Sequence, residues 1–154
     1  MATTWRNYTD LPDSELRAIY LAVCPAGLRA HDVAFKNLAG RGVRGRAYSS
    51  GSGFHQSARP FVVVSVARTD RLARHWCDGG GKPGYLRYPL GNRRECIVAI
   101  LAHELRHLWQ SQTGKPRLGM VWGSRGKMSE RDADAYALRM LRRYRRGELS
   151  QIDT

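Results

Sequence analysis

The sequence predicts an α+β fold, and three observations lead to that class. Residues 60–67, PFVVVSVA, are dense in β-branched side chains, which favour strands. Two later segments, 92–112 and 130–146, instead repeat their apolar residues at the helical period of 3.6. The chain has 154 residues, of which 42% are hydrophobic, so it is long enough to bury one core. We therefore expect a single domain, residues 1–154, in which a small sheet is combined with helices.

The first third of the chain predicts two helices and a loop. Residues 11–23 carry apolar side chains at helical spacing, and Pro25 ends the segment. Residues 31–38 predict a short second helix that stops at Gly40. The stretch 40–53 is rich in Gly, Arg and Ser, which predicts a mobile loop or an irregular hairpin.

The rest of the chain predicts two strands followed by two long helices. The strand at 60–67 is separated by a glycine-rich turn from a second strand at 85–88. Asn92 can cap the first of the two helices, and Gly and Pro residues follow that helix as stop signals. Ser129 can cap the final helix, over about 130–146.

The charge balance is strongly basic, because 26 Lys and Arg residues outnumber 13 Asp and Glu residues and leave a net charge of +13. Such a chain is attracted to nucleic acid, acidic lipid or an acidic protein. An arginine-rich composition spread over the whole chain explains the same balance without a binding role. On the final helix Arg139, Arg142, Arg143 and Arg146 point outward, as either a nucleic-acid-binding stripe or a solvated face would.

The cysteines and the apolar runs indicate a cytoplasmic protein. Cys24, Cys77 and Cys96 are odd in number and form no CxxC motif, which fits a reduced, intracellular protein. The longest apolar cluster, 97–102, is far shorter than the roughly 18 residues of a membrane-spanning helix, so no membrane association is expected. The first ten residues lack the unbroken apolar stretch of a secretory signal.

The chemistry of the chain centres on His103-Glu104-Leu105-Arg106-His107, a match to the motif HExxH. Residues four apart lie one turn above each other on a helix, so both imidazoles can bind one metal ion. Glu104 lies next to them, placed to take a proton from a metal-activated water. The alternative is a pair of half-buried histidines that hydrogen-bond to backbone.

The final helix offers further metal ligands. Glu130 and Asp134 are four residues apart and fall within its apolar face, where unpaired carboxylates cost several kcal/mol each. A metal bound by Glu130, with Asp134 accepting the ring N–H of a histidine ligand, provides partners for both carboxylates. Buried Arg–carboxylate bridges are the alternative. By the same angular count Asp132 lies on the solvated face of this helix, and Arg106 and Gln110 point away from the apolar side of the preceding one.

The HExxH motif, followed by the Glu130-x-x-x-Asp134 pattern on a second helix, resembles the gluzincin group of zincin metallopeptidases. The segment 130–137, ERDADAYA, is also similar to the second-helix motif of small intracellular metallopeptidases of the ImmA/IrrE kind. The resemblance covers roughly residues 92–146, about a third of the chain.

The resemblance implies a zinc-dependent peptidase with a zincin-like fold. Peptide bonds of a protein substrate would be hydrolysed through a metal-activated water, with Glu104 as the general base. The implied ligands of Zn²⁺ are His103, His107 and Glu130, and Asp134 is implied to orient a ligand. The zincin fold would also make 61–67 or 85–88 the edge strand along which an extended peptide pairs.

The residues leave the oxyanion donor and the function class open. The tetrahedral intermediate needs a further donor, and the candidates are Tyr85, Tyr88, Tyr136, His75 and the arginines of the 114–128 loop. One competing function is a nucleic-acid-associated basic protein that uses a zincin core as a scaffold or acts on DNA-bound proteins. Another is a regulatory or toxin-like module that retains zinc without turnover.

Overall fold

A computed structural model describes residues 4–48, 59–77, 87–113 and 127–149 of the chain. The α+β class is confirmed, since this part of the chain combines helices with a small mixed sheet. In chain order the elements are β1 (Trp5–Asn7), α1 (Asp13–Val23), β2 (Asp32–Leu38), β3 (Val43–Tyr48), β4 (Phe61–Ala67), α2 (Asp70–Ala73), β5 (His75–Cys77), β6 (Tyr88–Leu90), α3 (Arg93–Thr113) and α4 (Lys127–Arg145). Among these helices none is long and apolar enough to cross a membrane.

Within the described residues, the larger sheet has four strands in the order β1–β2–β4–β3. β1, β2 and β4 run parallel to one another, whereas β3 pairs antiparallel to β4 and forms one edge. The strand predicted at 60–67 is confirmed as β4. Because β4 has a partner strand on each side, the prediction that it is the edge strand for a peptide is wrong. β5 and β6 form a separate antiparallel pair.

The helix predicted for residues 31–38 is wrong, because most of this segment forms β2, between β1 and β4. Val33 and Phe35 are buried, whereas Lys36 is exposed, so the side chains alternate with the period of two that a strand requires. A short apolar segment fits both a helix and a strand, and periodicity alone does not separate them. Hydrogen-bonded neighbours on both sides stabilise the strand here.

Two further strands lie near regions that the sequence singles out. Within 40–53, residues Val43–Tyr48 form β3, a strand that pairs with β4 outside this stretch, and not a loop or a hairpin contained within it. Residues 49–53 lie outside the described part. The strand predicted at 85–88 is found slightly later in the chain, as β6. Residues 85 and 86 and the preceding glycine-rich turn lie outside the described residues. Nothing in the periodicity predicts β1, α2 or β5, which have three or four residues each.

α1 and α3 confirm two of the predicted helices. α1 begins at Asp13, two residues later than predicted, and ends at Val23 before Pro25. At the start of α3 the side-chain oxygen of Asn92 accepts a hydrogen bond of 2.9 Å from the backbone N–H of Glu95, which confirms the predicted cap.

α4 confirms the last predicted helix with different ends. It begins at Lys127, three residues early, so Ser129 lies inside the helix and the predicted cap there is wrong. After Arg145 the chain reaches Gly147, whose φ of 76° is the left-handed conformation that favours glycine. The N–H of Gly147 donates to the carbonyl oxygen of Tyr144 at 2.9 Å, which closes the last turn.

The core lies between one face of the larger sheet and the helices. The largest fully buried apolar side chains of these layers include Val33, Phe35, Val62, Val64, Ile97, Leu101, Leu105, Leu108 and Leu141. α3 packs against α4 and also against β3 and β4, so it buries side chains around most of its circumference. The helix that carries the HExxH motif is therefore held from several sides.

Candidate metal centre

His103 and His107 lie one helical turn apart on the side of α3 that approaches α4. Their Nε2 atoms are 3.0 Å apart, and only 13% and 7% of the two side chains is exposed. The four-residue step on a helix produces this arrangement, because it stacks the two side chains on one face. Most of their contacts join them to side chains of α3 and α4, in contrast to the alternative of two histidines bonded to backbone.

α4 brings Glu130 to the same point. Its Oε1 lies 2.8 Å from Nε2 of His107, and its Oε2 lies 3.4 Å from Nε2 of His103. The candidate ligand atoms of the three residues all lie within 4.8 Å of one another. A tetrahedral zinc ion with bonds of about 2.0–2.2 Å holds its ligand atoms about 3.3 Å apart. The donor types and their spacing therefore fit a divalent metal ion.

Asp134 holds His103 on its other ring nitrogen. The Oδ1 atom of Asp134 lies 2.9 Å from Nδ1 of His103, and only 3% of the aspartate side chain is exposed. A carboxylate that accepts the Nδ1–H bond fixes the tautomer in which Nε2 can bind a metal. Among the described ion pairs, no arginine contacts the carboxylate of Glu130 or Asp134. The alternative of buried Arg–carboxylate bridges is therefore wrong for these two carboxylates.

The pKa values of the site show how its charges balance in the metal-free protein. Burial alone would lower the pKa of His103, but hydrogen bonds with Asp134 and Glu130 outweigh it and raise the pKa to about 10. Burial alone would raise the pKa of Glu130, but the contacts with His103 and His107 lower it to about 2. A proton on His103 therefore compensates the carboxylates, and a metal ion must displace that proton to bind.

Glu104 lies between α3 and the edge strand, with 9% of its surface exposed. Burial raises its pKa, although the neighbouring His103 and His107 act in the opposite direction. β3 passes close to it at Gly45, where a Cβ atom would come within 2.7 Å of Cγ of Glu104 and 2.3 Å of Cγ2 of Ile100. Such an approach needs a glycine. The carboxyl group is therefore enclosed, and burial holds its pKa above the ordinary value of a glutamate.

A chain of side-chain contacts fixes the second histidine. Nδ1 of His107 lies 2.9 Å from Oε1 of Gln110, and Nε2 of Gln110 donates to Oδ2 of Asp132 at 2.9 Å. Arg106 binds the same carboxylate through Nε and Nη2, at 2.7 and 3.1 Å. The predictions that Arg106 and Gln110 point away and that Asp132 lies on a solvated face are therefore wrong. These side chains meet between α3 and α4, because α4 covers a part of α3 that a single-face angular count assigns to solvent.

The residues predicted as candidate oxyanion donors differ in their hydrogen-bond partners and burial. The Tyr136 hydroxyl donates to a backbone carbonyl oxygen at the end of α1 at 2.5 Å. Nδ1 of His75 lies 2.7 Å from a backbone carbonyl oxygen, and Tyr88 is buried, which raises its pKa far above the usual value. Tyr85 and the arginines of 114–128 lie outside the described residues. Tyr136 therefore joins α4 to α1 rather than serving the metal centre.

The arginines of the predicted nucleic-acid stripe on α4 fall into two groups. Arg139 and Arg142 are exposed. Arg143 and Arg146 both contact the carboxylate of Glu148, at 3.3 and 2.7 Å. Glu148 therefore offsets part of the positive charge at this end of the helix.

Comparisons with known proteins add no relatives to this description. No family model, no curated protein and no solved structure matches the chain. The interpretation of the centre therefore depends on its own residues and on the geometry given above.

Proposed function

We propose that the protein is a zinc-dependent metallopeptidase with a zincin-like fold, which hydrolyses peptide bonds in a protein substrate. The observation that carries the proposal is the meeting of His103, His107 and Glu130, from two helices, at one point beside the buried Glu104. Two imidazoles and one carboxylate form a ligand set of catalytic zinc sites, which keep a further position for water or substrate. The resemblance to gluzincins concerns the same residues.

Each side chain of the centre has a separate task in this proposal. A zinc ion held by His103, His107 and Glu130 would lower the pKa of water toward 7 and polarise the scissile carbonyl group. Glu104 accepts a proton from the attacking water and passes it to the leaving amine. Asp134 and Gln110 hold the rings of His103 and His107 so that both Nε2 atoms point to the centre.

β3 is the strand that best supports a peptide-binding role. It forms an edge of the larger sheet, and its Gly45 lies directly against Glu104. Extended peptides bind to sheet edges through main-chain hydrogen bonds. We therefore propose that the substrate pairs with β3, instead of with the segments 61–67 or 85–88 suggested by the sequence.

The substitution Glu104→Gln separates hydrolysis from metal binding. It keeps the size of the side chain and all three proposed ligands, but an amide cannot accept the proton of water. We expect hydrolysis of an unstructured substrate such as casein to fall by about 100-fold or more, with the zinc content unchanged. His103→Ala, the matched control, should lose both zinc and activity.

Two results would refute the proposal. Unchanged hydrolysis in Glu104→Gln would show that this residue is not the base. Zinc-loaded wild-type protein that hydrolyses no protein substrate would instead favour a module that retains zinc without turnover.

A further inference from the structure

The larger sheet has a second face, which points away from the buried core. The strand registers align outward-facing side chains in rows across this face. Two of these rows contain, in order, Arg6, Ala34, Val63 and Arg46, and Lys36, Ser65 and Arg44. Basic residues therefore lie on both sides of the face, with small and apolar residues between them.

This face carries an excess of positive charge. Arg6, Lys36, Arg44 and Arg46 are exposed, and none of them takes part in an ion pair among the described residues. Asp32 is the acidic residue of the same face, and its carboxylate lies 3.4 Å from Nη2 of Arg59. No carboxylate of the described sheet therefore neutralises the four basic side chains. Their positive charge can attract an anionic ligand.

The middle of the face is an open depression lined by apolar and charged residues, the paired Asp32 among them. A cavity of about 310 Å³ opens over β1, β2 and β4, and its lining includes Ala34 and Val63 as well as Arg6 and Lys36. Tyr8 also lines it, and 59% of that residue is exposed. An exposed aromatic ring beside cationic side chains is a combination suited to a ligand that has both planar bases and phosphates.

We propose that this outer face, defined by Arg6, Tyr8, Lys36, Arg44 and Arg46, binds single-stranded nucleic acid. Proteins that bind single strands combine a positively charged surface, which follows the phosphates, with aromatic side chains on which bases stack. An open sheet presents both groups on one flat surface, and splayed bases can lie on it. The proposal does not depend on the peptidase function, because the metal centre lies among α3 and α4.

Two other anionic partners fit this face less well. The major groove of duplex DNA is read by a helix or a two-stranded ribbon, and a four-stranded face offers neither. A surface that binds acidic membranes inserts several large apolar side chains among its basic residues. Of the large apolar side chains that are exposed in the described chain, only Tyr8 lies on this face.

Fluorescence anisotropy with labelled 20-nucleotide oligo-dT and oligo-U tests the proposal. Four phosphate contacts to a single strand predict a slope of about −2.8 for log K against log salt, so affinity should fall about 50-fold from 50 to 200 mM NaCl. A variant that combines Arg6→Gln, Lys36→Gln, Arg44→Gln and Arg46→Gln should lose at least about 10-fold in affinity at 50 mM. Tyr8→Ala should lose about 10-fold without a change of salt slope, because it removes stacking and no charge.

The matched control removes the same number of charges from the end of α4 and the residue after it, through Arg139→Gln, Arg142→Gln, Arg143→Gln and Arg146→Gln. We expect this variant to keep its affinity within about 3-fold, and circular dichroism should show that all variants are folded. An equal or larger loss in the α4 variant would overturn the proposal in favour of the helix. It would also be overturned if the wild type bound no oligonucleotide at 50 mM, or bound only vesicles that contain phosphatidylserine.

The zinc content keeps this test separate from the proposed peptidase. The outer-face variant should retain the metal content of the wild type, since none of its substituted residues contacts the metal centre. Loss of oligonucleotide binding with the metal unchanged supports the outer face alone. Loss of oligonucleotide binding together with loss of metal would contradict the assignment of a separate binding face.

Discussion

At the scale of single residues, each histidine of the centre is held by a different kind of partner. Asp134 gives His103 a charged acceptor, whereas Gln110 gives His107 a neutral one. A carboxylate increases the proton affinity of its histidine and an amide does so much less. The two partners nevertheless have the same geometric effect, because each orients Nε2 toward the centre.

The first prediction concerns Gln110. Gln110→Ala removes the partner of Nδ1 of His107, so the ring loses its fixed orientation. We expect the zinc affinity to fall by about 10- to 100-fold, as for other residues that support a metal ligand. Competition with a chromophoric chelator measures that affinity directly.

Gln112→Ala is the control for this prediction. Gln112 lies on the same helix, and its Oε1 accepts a hydrogen bond of 2.8 Å from the backbone N–H of Arg29. Its loss should leave the zinc affinity unchanged. If Gln110→Ala and Gln112→Ala bind zinc as the wild type does, Gln110 has no positioning role.

The second prediction concerns pH. The pKa of His103 is raised to about 10 in the folded protein, from about 6.5 in an unfolded chain. Its protonated form therefore stabilises the metal-free fold fully below pH 6.5, and this contribution is lost as the pH rises toward 10. We expect the free energy of unfolding in EDTA to fall over this interval. The apparent zinc affinity should rise over the same interval, because protons and zinc compete for the ring.

Asp134→Asn tests the cause of that pH dependence. The amide retains a hydrogen-bonding group of similar size but lacks the charge that raises the pKa of His103. Urea unfolding at several pH values measures this. The free energy of unfolding of the metal-free variant should stop falling at a lower pH than that of the wild type. Identical pH profiles for wild type and Asp134→Asn would contradict this explanation.

At the scale of secondary-structure elements, the centre depends on how closely β3 crosses α3. Gly45 is the contact point, since a side chain there would overlap Ile100 and displace Glu104. The edge strand and the HExxH helix are thereby brought together at the residue proposed as the base. The close crossing gives the third prediction.

Gly45→Ala should destabilise the protein and disturb Glu104. The new Cβ would lie 2.3 Å from Cγ2 of Ile100, so a strand or a helix must shift. We expect a loss of about 1–3 kcal/mol in the free energy of unfolding, as for other overpacked sites. Urea unfolding measures this, and hydrolysis of casein should fall further than the zinc content does.

Gly91→Ala provides the comparison. A Cβ atom there would lie 3.5 Å from Oε1 of Glu95, which is an ordinary contact. Its free energy of unfolding should stay within about 0.5 kcal/mol of the wild type. Equal stability of Gly45→Ala and wild type would show that β3 does not need a glycine at the crossing.

The elements also show which parts of the fold a sequence can predict. α3 is long, periodic and capped by Asn92, so its residues identify it without tertiary information. β2 is short, and its apolar spacing fits either period, so its neighbours in the sheet determine its conformation. The strand β3 is equally hard to predict, because Val43 is the one β-branched residue of its sequence VRGRAY. Pairing with β4 stabilises it.

The candidate site divides in the same way. The four-residue spacings place His103 with His107 and Glu130 with Asp134 from the sequence alone. The spacing within α3 does not predict the role of Gln110, because its partner Asp132 comes from α4. The angle at which α4 packs on α3 is a property of the tertiary structure. The three-residue step from His107 to Gln110 is the sequence signal that links the two.

At the scale of the whole molecule, acidic and basic residues are used differently on its two sides. On the helical side, carboxylates are paired with histidines and arginines, as at Glu130, Asp132 and Glu148. On the outer face of the sheet, Arg6 and Arg46 have no such partners among the described residues. Among the described residues, carboxylates of the helical side are therefore paired whereas Arg6 and Arg46 are not, and the two sides have separate proposed roles.

Zinc stoichiometry tests the central claim most directly. Wild type, His103→Ala, Glu130→Ala and, as a control, Glu148→Ala are loaded with zinc, dialysed against metal-free buffer and measured by atomic emission. One tightly bound zinc per chain is expected in the wild type and in Glu148→Ala, and much less than one in the other two variants. A wild type that retains no zinc, or a Glu130→Ala variant that retains as much as the wild type, would contradict a metal centre shared by α3 and α4.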